Sequence, residues 1–384
     1  MAHILTGADV FDGERLHRDL AVVIEAGRIA RLIPAVEAGP GAERITGLLA
    51  PAFVDLQVNG GGGHQISGAT TVSDLAQVCA THRQLGCAGV LPTLITDRPE
   101  ATDAVVAAGI AAAKARVPGF LGLHLEGPHL DPRRKGAHDP GLIRPMTDTD
   151  LARLCEAARA LPALLVTLAP EAATPMQIAA LTQAGVIVSL GHSDCSQAEA
   201  CAAIAAGAQC ATHLFNAMSQ LGNREPGLVG AILGGMLAAG IIADGIHVHP
   251  DVLRIALAAR RDGIFLVTDC MAFAGTELAE MNLGGRPVLR GEGRLRLADG
   301  TLAGADLTMA GALRVLTGPV GIAPERALAM ASLIPARLIG QSNRLGRIAP
   351  GYLPELVLLS DRWTLTGAWG ADPSAPDGVV RHMS

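Results

Sequence analysis

Four residues of this chain place acid or imidazole chemistry at the ends of apolar runs. Glu126 closes FLGLHLE (120–126), His192 follows VIVSLG (186–191), His213 lies within CATHLF (210–215), and Asp269 ends IFLVTD (264–269). One carboxylate with two imidazoles is a donor set for a borderline divalent cation that keeps a position open for water. Zinc is the first expectation, with Fe2+, Co2+ or Mn2+ as alternatives. Asp269 is different: ending an apolar run, its ionised form needs a nearby cation or hydrogen-bond donors. A carboxylate beside an activated water can take its proton and later deliver it to a leaving group. Plainer roles remain open for each residue taken alone. Asp269 could cap the next segment, His213 could be a hydrogen-bonded core histidine, and His192 could lie in an N-cap region where Ser193 or Asp194 starts a helix.

The elements that must position these groups are read from hydrophobic period. Eight short apolar runs, at 52–58, 89–95, 120–126, 163–169, 186–191, 210–215, 240–244 and 264–269, alternate with Ala/Leu-rich stretches such as 71–86, 100–116, 148–160, 174–184 and 196–206. Strand alternating with helix eight times predicts an α/β fold, a (β/α)8 TIM-like barrel. On that reading Asp55, Gln57, Glu126, His192, His213, Asp244, His247 and Asp269 collect at strand C-terminal ends, the rim where such barrels keep their chemistry. Strand residues alternate faces, so His124 and Glu126 share one side; His124 is expected to be a core histidine.

The flanks read differently. Residues 1–50 and 345–384 are short β-like pieces punctuated by glycine, and both ends are expected to meet in one small β domain, leaving 51–344 as the barrel domain. A hairpin is predicted over Arg286–Leu297, and helices over Asp306–Leu316 and Pro324–Ile339.

Bulk properties narrow the function. The 384 residues are 49% hydrophobic, only 2% aromatic, and carry a net charge of −6 without a basic run, which argues against a nucleic-acid partner. Apolar stretches are short and broken, so no membrane span is expected, and the N-terminal sequence lacks the pattern of a signal peptide. Seven cysteines show neither CxxC pairing nor disulfide-scaffold density, pointing to a reducing cytoplasm.

HLEGPH, GAHDP, SLGHSD, THLFNAM, REPGLVGAIL, DGIHV, VTDCM and LAGADLTMAG occur in the order found in the N-acetylglucosamine-6-phosphate deacetylase family of the amidohydrolase superfamily, and the chain resembles that family across nearly the whole barrel. The resemblance implies that Glu126, His192 and His213 hold the metal and that Asp269 is the general base and acid. It implies that His138 contacts the substrate acetyl carbonyl, that Asn216, the backbone at Ala217, Arg224 and His247 bind the sugar phosphate, and that Met309 also belongs to the substrate-binding set. Arg224 would reach in from a partner in a homodimer. Superfamily members with two metals carry His-x-His on the first strand. The corresponding pair is expected here at Asp55-x-Gln57, which resembles the one-metal subgroup, with Gln57 touching solvent or substrate. His129, Cys270 and His64 stand as the places to seek further ligands.

Overall fold

The computed structural model describes residues 2–371, 375 and 378–383. All eight apolar runs enter a single sheet in chain order: β1 (Phe53–Val58), β2 (Cys87–Ile95), β3 (Leu123–Glu126), β4 (Leu164–Leu168), β5 (Ile187–Leu190), β6 (Cys210–Ala211), β7 (Ala238–Ile241) and β8 (Ile264–Leu266). From β2 to β8 each strand pairs with the next in parallel. Val58 bridges Cys270 in parallel, so the end of β1 meets the chain just beyond β8 and the sheet nearly closes. This is the predicted (β/α)8 barrel. Its strands read as continuous apolar runs because both faces are covered: β1, β3, β4 and β5 are buried throughout.

Between the strands run α1 (Val72–Gln84), α2 (Pro99–Lys114), α3 (Asp148–Ala160), α4 (Pro175–Gln183), α5 (Gln197–Ala205), α6 (Gly227–Leu233) and α7 (Pro250–Ala259). Four start at capping boxes, in which Thr71, Thr147, Thr174 and Ser196 exchange hydrogen bonds with Asp74, Asp150, Gln177 and Glu199. The cap after β5 is therefore Ser196 rather than Ser193 or Asp194, which serve the loop carrying His192.

The chain packs as two compact units. One comprises Leu56–Thr81 and Val90–Thr308, the other Met1–Asp55, His82–Gly89 and Met309–Ser384. In the second, Leu48–Pro51 pairs antiparallel with Leu356–Leu359 and parallel with Asp9–Phe11, which draws both ends of the chain into one six-stranded sheet. A four-stranded sheet from residues 3–44 accompanies it, and Leu5, Val22, Ile24, Leu49, Leu356 and Trp369 share one core. The division expected at residues 344 and 345 differs from this grouping, because α8 (Met309–Thr317) and the helices Pro324–Ala331 and Leu333–Leu338 belong to the unit of the termini. No linker separates them from the tail: Tyr352 Oη donates to the Ser342 carbonyl at 2.8 Å and the Leu353 amide to the Arg344 carbonyl at 3.2 Å. The single helix predicted over 324–339 breaks at Ser332 (φ −134°, ψ −76°). Pro335 has no N–H for the Ala331 carbonyl and its ring would crowd that group.

The predicted hairpin forms, Arg286–Gly291 against Arg294–Leu297, around Glu292 and Gly293 with φ of 53° and 70°. Two positive φ values give the turn whose twist suits paired strands. Glu280–Leu283 and Leu302–Ala305 extend it to four strands, whose apolar face packs Leu283, Val288, Leu295 and Ala303 with Met271, Phe273, Ile95 and Ala137.

The entry to β3 depends on a glycine. Gly122 has φ of 139°, and a Cβ there would lie 2.1 Å from the Ala163 carbonyl oxygen at the start of β4. Backbone cannot yield as a flexible side chain does, so Gly122→Ala should lower stability by about 2 kcal/mol or more. Denaturant unfolding monitored by circular dichroism checks this, and an unchanged midpoint would refute the assigned strain.

Candidate metal centre

Glu126 is the last residue of β3, while His192 and His213 sit two residues beyond β5 and β6. Their donor atoms converge: His192 Nε2 and His213 Nε2 lie 3.2 and 3.1 Å from Glu126 Oε1, and 3.1 Å from each other. Donors held about 2.0–2.1 Å from one ion in tetrahedral array would be roughly 3.3 Å apart, so the triangle is the right size. Among the described residues this is the one group of three His, Cys, Asp or Glu side chains able to hold a metal, and all three are buried.

The protonation pattern points the same way. His192 Nδ1 donates to the Arg134 carbonyl at 2.8 Å, so Nε2 is the nitrogen that faces the carboxylate and, unless it carries a second proton, offers it a lone pair. Two such acceptors 3.2 Å apart repel unless a proton or a metal ion lies between them. Burial alone would raise the Glu126 carboxyl, but hydrogen bonds and charge from His192 and His213 hold it well below its ordinary value. Burial opposes a charge on His213, yet the Glu126 hydrogen bond and charge win and raise its pKa. The donor set thus fits a divalent ion, with a proton as its competitor.

Asp269 follows β8 within the same cavity, a space of about 270 Å3 lined also by Asn59, Glu126, His138, His192, His213, Asn216, Ala217 and His247. Burial first, then the charge of Glu126, pushes its carboxyl up to about 6. His192, His213 and Asp269 have φ of 47°, 29° and 50°, conformations that non-glycine residues rarely adopt and that cost on the order of 1–3 kcal/mol each. Each marks an abrupt turn where a strand ends, the device that swings its side chain over the barrel mouth.

His138 comes from the loop after β3. The Thr96 amide reaches its Nδ1 at 3.3 Å and the Thr96 hydroxyl lies 2.7 Å away. An amide N–H can only donate, so Nδ1 is the unprotonated nitrogen and Nε2 carries the hydrogen. Burial, reinforced by His192, pushes the ring down to about 3, so His138 is a neutral donor. Gly127 makes the contact possible, since a Cβ there would fall 2.2 Å from Thr96 Oγ1.

His247 Nδ1 donates to Asp244 Oδ2 at 2.6 Å, and the other oxygen of Asp244 accepts the Ile246 and His247 amides. Arg224, by contrast, is exposed in the loop before α6 and does not line the cavity. Met309 does not line it either; its buried side chain is absorbed into packing at the start of α8. His124 lies in the barrel interior, bonded to Thr167 Oγ1 at 2.7 Å, and burial pushes it down to about 4, a satisfied core histidine as expected. His129 bonds the Arg144 carbonyl, His64 pairs with Asp74 and Cys270 Sγ contacts the Gly60 carbonyl, so none joins the cluster.

The expectation for β1 is corrected by one pleat. Gln57 is buried and its Nε2 donates to Glu126 Oε1 at 3.1 Å, rather than touching solvent. Asn59 is the residue that lines the cavity, and its Nδ2 donates to Asp269 Oδ1 at 2.8 Å. Asn59 and Thr96 were not singled out from sequence; the period of two that puts Asp55 and Gln57 on one face includes Asn59 as well.

The barrel and its buried Glu-His-His centre are those of a metal-dependent hydrolase fold, and the chain belongs to the amidohydrolase family, whose model it matches over residues 48–375. It is 37% identical to N-acetylgalactosamine-6-phosphate deacetylase of Shewanella sp. (strain ANA-3), over 95% of this chain and 94% of that protein. It is 35% identical to N-acetylglucosamine-6-phosphate deacetylase of Haemophilus influenzae, over 96% and 97% respectively. The crystal structure of the Pasteurella multocida N-acetylglucosamine-6-phosphate deacetylase superposes with a TM-score of 0.92 at 31% identity, covering 96% of this chain and 98% of that one.

Because His213 binds a proton more tightly than a free imidazole when no ion is present, metal must displace that proton. Metal affinity should therefore fall as pH is lowered from about 8 to about 6, with a slope approaching tenfold per unit for each proton displaced. Competition titration with a chelator across that range checks the sign. Glu126→Ala should abolish tight binding; stoichiometric metal retained in that variant would remove Glu126 from the ligand set.

Proposed function

We propose that the chain hydrolyses the acetyl amide of N-acetylglucosamine-6-phosphate to glucosamine-6-phosphate and acetate. The observation that carries this reading is the buried Glu126, His192 and His213 triangle with Asp269 and a neutral His138 facing the same cavity. A poor electrophile with an amine leaving group needs an activated nucleophile, a stabilised oxyanion and a proton donor, and this set supplies each.

Glu126, His192 and His213 would hold one divalent ion, with zinc the first candidate. The ion would supply Lewis-acid polarisation and make water acidic enough to lose a proton near neutral pH. Asp269 takes the proton from the attacking water and delivers it to the departing nitrogen. His138 donates its Nε2–H to the acetyl oxygen as negative charge develops there. A single ion is supported by β1, where Gln57 and Asn59 stand as neutral amides that turn their N–H groups to Glu126 and Asp269, and a neutral amide is a weak ligand for zinc beside the imidazole and carboxylate donors such sites use.

Asn216, the backbone at Ala217 and His247 line the cavity and would bind the sugar phosphate. Arg224 would complete that site from a second copy in a homodimer, a reading consistent with its exposure outside the cavity of its own chain. Among the described residues no helix is long and apolar enough to cross a membrane. A cytoplasmic enzyme suits a phosphorylated substrate and seven free cysteines.

The galacto epimer is the second reading, favoured by the 37% identity to the Shewanella N-acetylgalactosamine-6-phosphate deacetylase. Acetate release from the two epimers, measured on protein of known metal content, decides between them: the larger kcat/KM should belong to the gluco compound, and a preference for galacto reverses the assignment. Asp269→Asn should keep its metal while kcat falls by roughly 10²–10⁴-fold. Near-normal turnover would exclude Asp269 as the proton carrier. Arg224→Ala should reduce kcat/KM by about tenfold or more on the phosphorylated sugar and hardly at all on unphosphorylated N-acetylglucosamine, since only the former offers a phosphate. Equal proportional losses would make Arg224 structural.

A further inference from the structure

Asn59 does more in this site than fill the position after β1. Its backbone is held on both sides, the amide donating to the Cys270 carbonyl at 2.8 Å and the carbonyl accepting from the Ile66 amide at 2.9 Å. The next residue must be glycine, since a Cβ on Gly60 would meet the His64 carbonyl oxygen at 2.3 Å. The side chain then has little freedom, and its Nδ2 is committed to Asp269 Oδ1 at 2.8 Å. That bond fixes which end of the carboxamide is which, because an oxygen turned toward an ionised carboxylate would repel it.

The other end, Oδ1, is buried and has no hydrogen-bond donor, although Asn59 lines the cavity. A buried acceptor without a donor costs about 1–3 kcal/mol, an expense usually met at a site whose partner arrives with the ligand. Geometry restricts what that partner is. Standard amide bond lengths put Oδ1 about 2.3 Å from Nδ2. An atom that takes a proton from Asp269 must come within about 3 Å of its carboxylate, and on the Asn59 side of that carboxylate such an atom can also reach the Asn59 oxygen.

Resting on the deacetylase reading above, we propose that Asn59 is a further catalytic residue: its Oδ1 accepts the N–H of the scissile acetamide while its Nδ2 holds Asp269 in line to protonate that same nitrogen. The contact strengthens as the nitrogen gains positive charge, so it favours the transition state over the bound substrate. The acetyl oxygen is left to His138 and the metal side of the cavity, and the two ends of the amide are recognised separately.

The test compares two substrates that differ only at the contacted atom: N-acetylglucosamine-6-phosphate and the corresponding 2-O-acetyl ester, in which oxygen replaces N–H. Asn59→Leu removes donor and acceptor and should lower kcat/KM for the amide at least tenfold more than for the ester. Asn59→Asp loses the donor to Asp269 but keeps an acceptor oxygen for the N–H, so it should slow both substrates and keep an amide-to-ester ratio clearly above that of the leucine variant. Equal losses in the leucine variant, or an aspartate ratio no higher than the leucine one, would overturn the proposal; if the leucine variant does not fold, Asn59→Ala takes its place with the same expected outcomes. Failure of the wild-type protein to release acetate from the amide would defeat the deacetylase reading itself and is seen before any variant is made.

Discussion

The constraint on which the rest of the site depends is a carboxylate that remains charged although it is almost wholly shielded from solvent. Glu126 is 2% exposed at the end of a strand whose other residues are wholly apolar or, like His124, satisfied inside the barrel. Burying that charge alone would be prohibitive, and it persists because two imidazoles and the Gln57 amide are aimed at it. An arrangement of this kind is stable with a cation in it and frustrated without one. The same field reaches Asp269, whose raised pKa comes from burial and from the Glu126 charge, so the anchor for the ion also tunes the proton carrier.

Holding these groups in register requires conformations that the backbone resists. Positive φ at His192, His213 and Asp269 is sustained by ties around each residue: Asp131 donates its amide to the His192 carbonyl, Asn216 to that of His213, and Ala305 to that of Asp269. The loop at 131–136 is tied in turn by Arg133 and Arg134 to Asp131, Glu171 and Asp194, so that the Arg134 carbonyl is in place to fix the His192 tautomer. Strain at the rim is thus balanced by ion pairs just outside it, consistent with a rigid barrel carrying its chemistry on loops.

The four-stranded sheet of residues 280–305 gives the cavity its remaining wall. Leu283, Thr301, Leu302, Ala303 and Gly304 line it, and Arg286 donates to the Ala137 carbonyl at 2.6 Å, tying this sheet to the loop that presents His138. An apolar wall opposite a charged centre lowers the local dielectric and strengthens each interaction inside.

Much of the centre was legible in the sequence because its signals are local. A strand alternates faces, so an acid or imidazole interrupting an apolar run at its C-terminal end announces a barrel rim, and Glu126, His192, His213 and Asp269 were each visible in that way. The eight strands and the meeting of the two chain ends followed from period and punctuation alone. What tertiary structure decided is which of these groups touch and through which atoms. Asn59 and Asp269 are 210 positions apart, and Thr96 and His138 are 42 apart; neither contact leaves a mark in the sequence around either partner. They depend on how β1 meets the chain beyond β8 and on how the loop after β3 folds back over β2. A shift of one pleat in that register is enough to make Gln57 a buried donor to Glu126 and Asn59 the residue at the cavity wall.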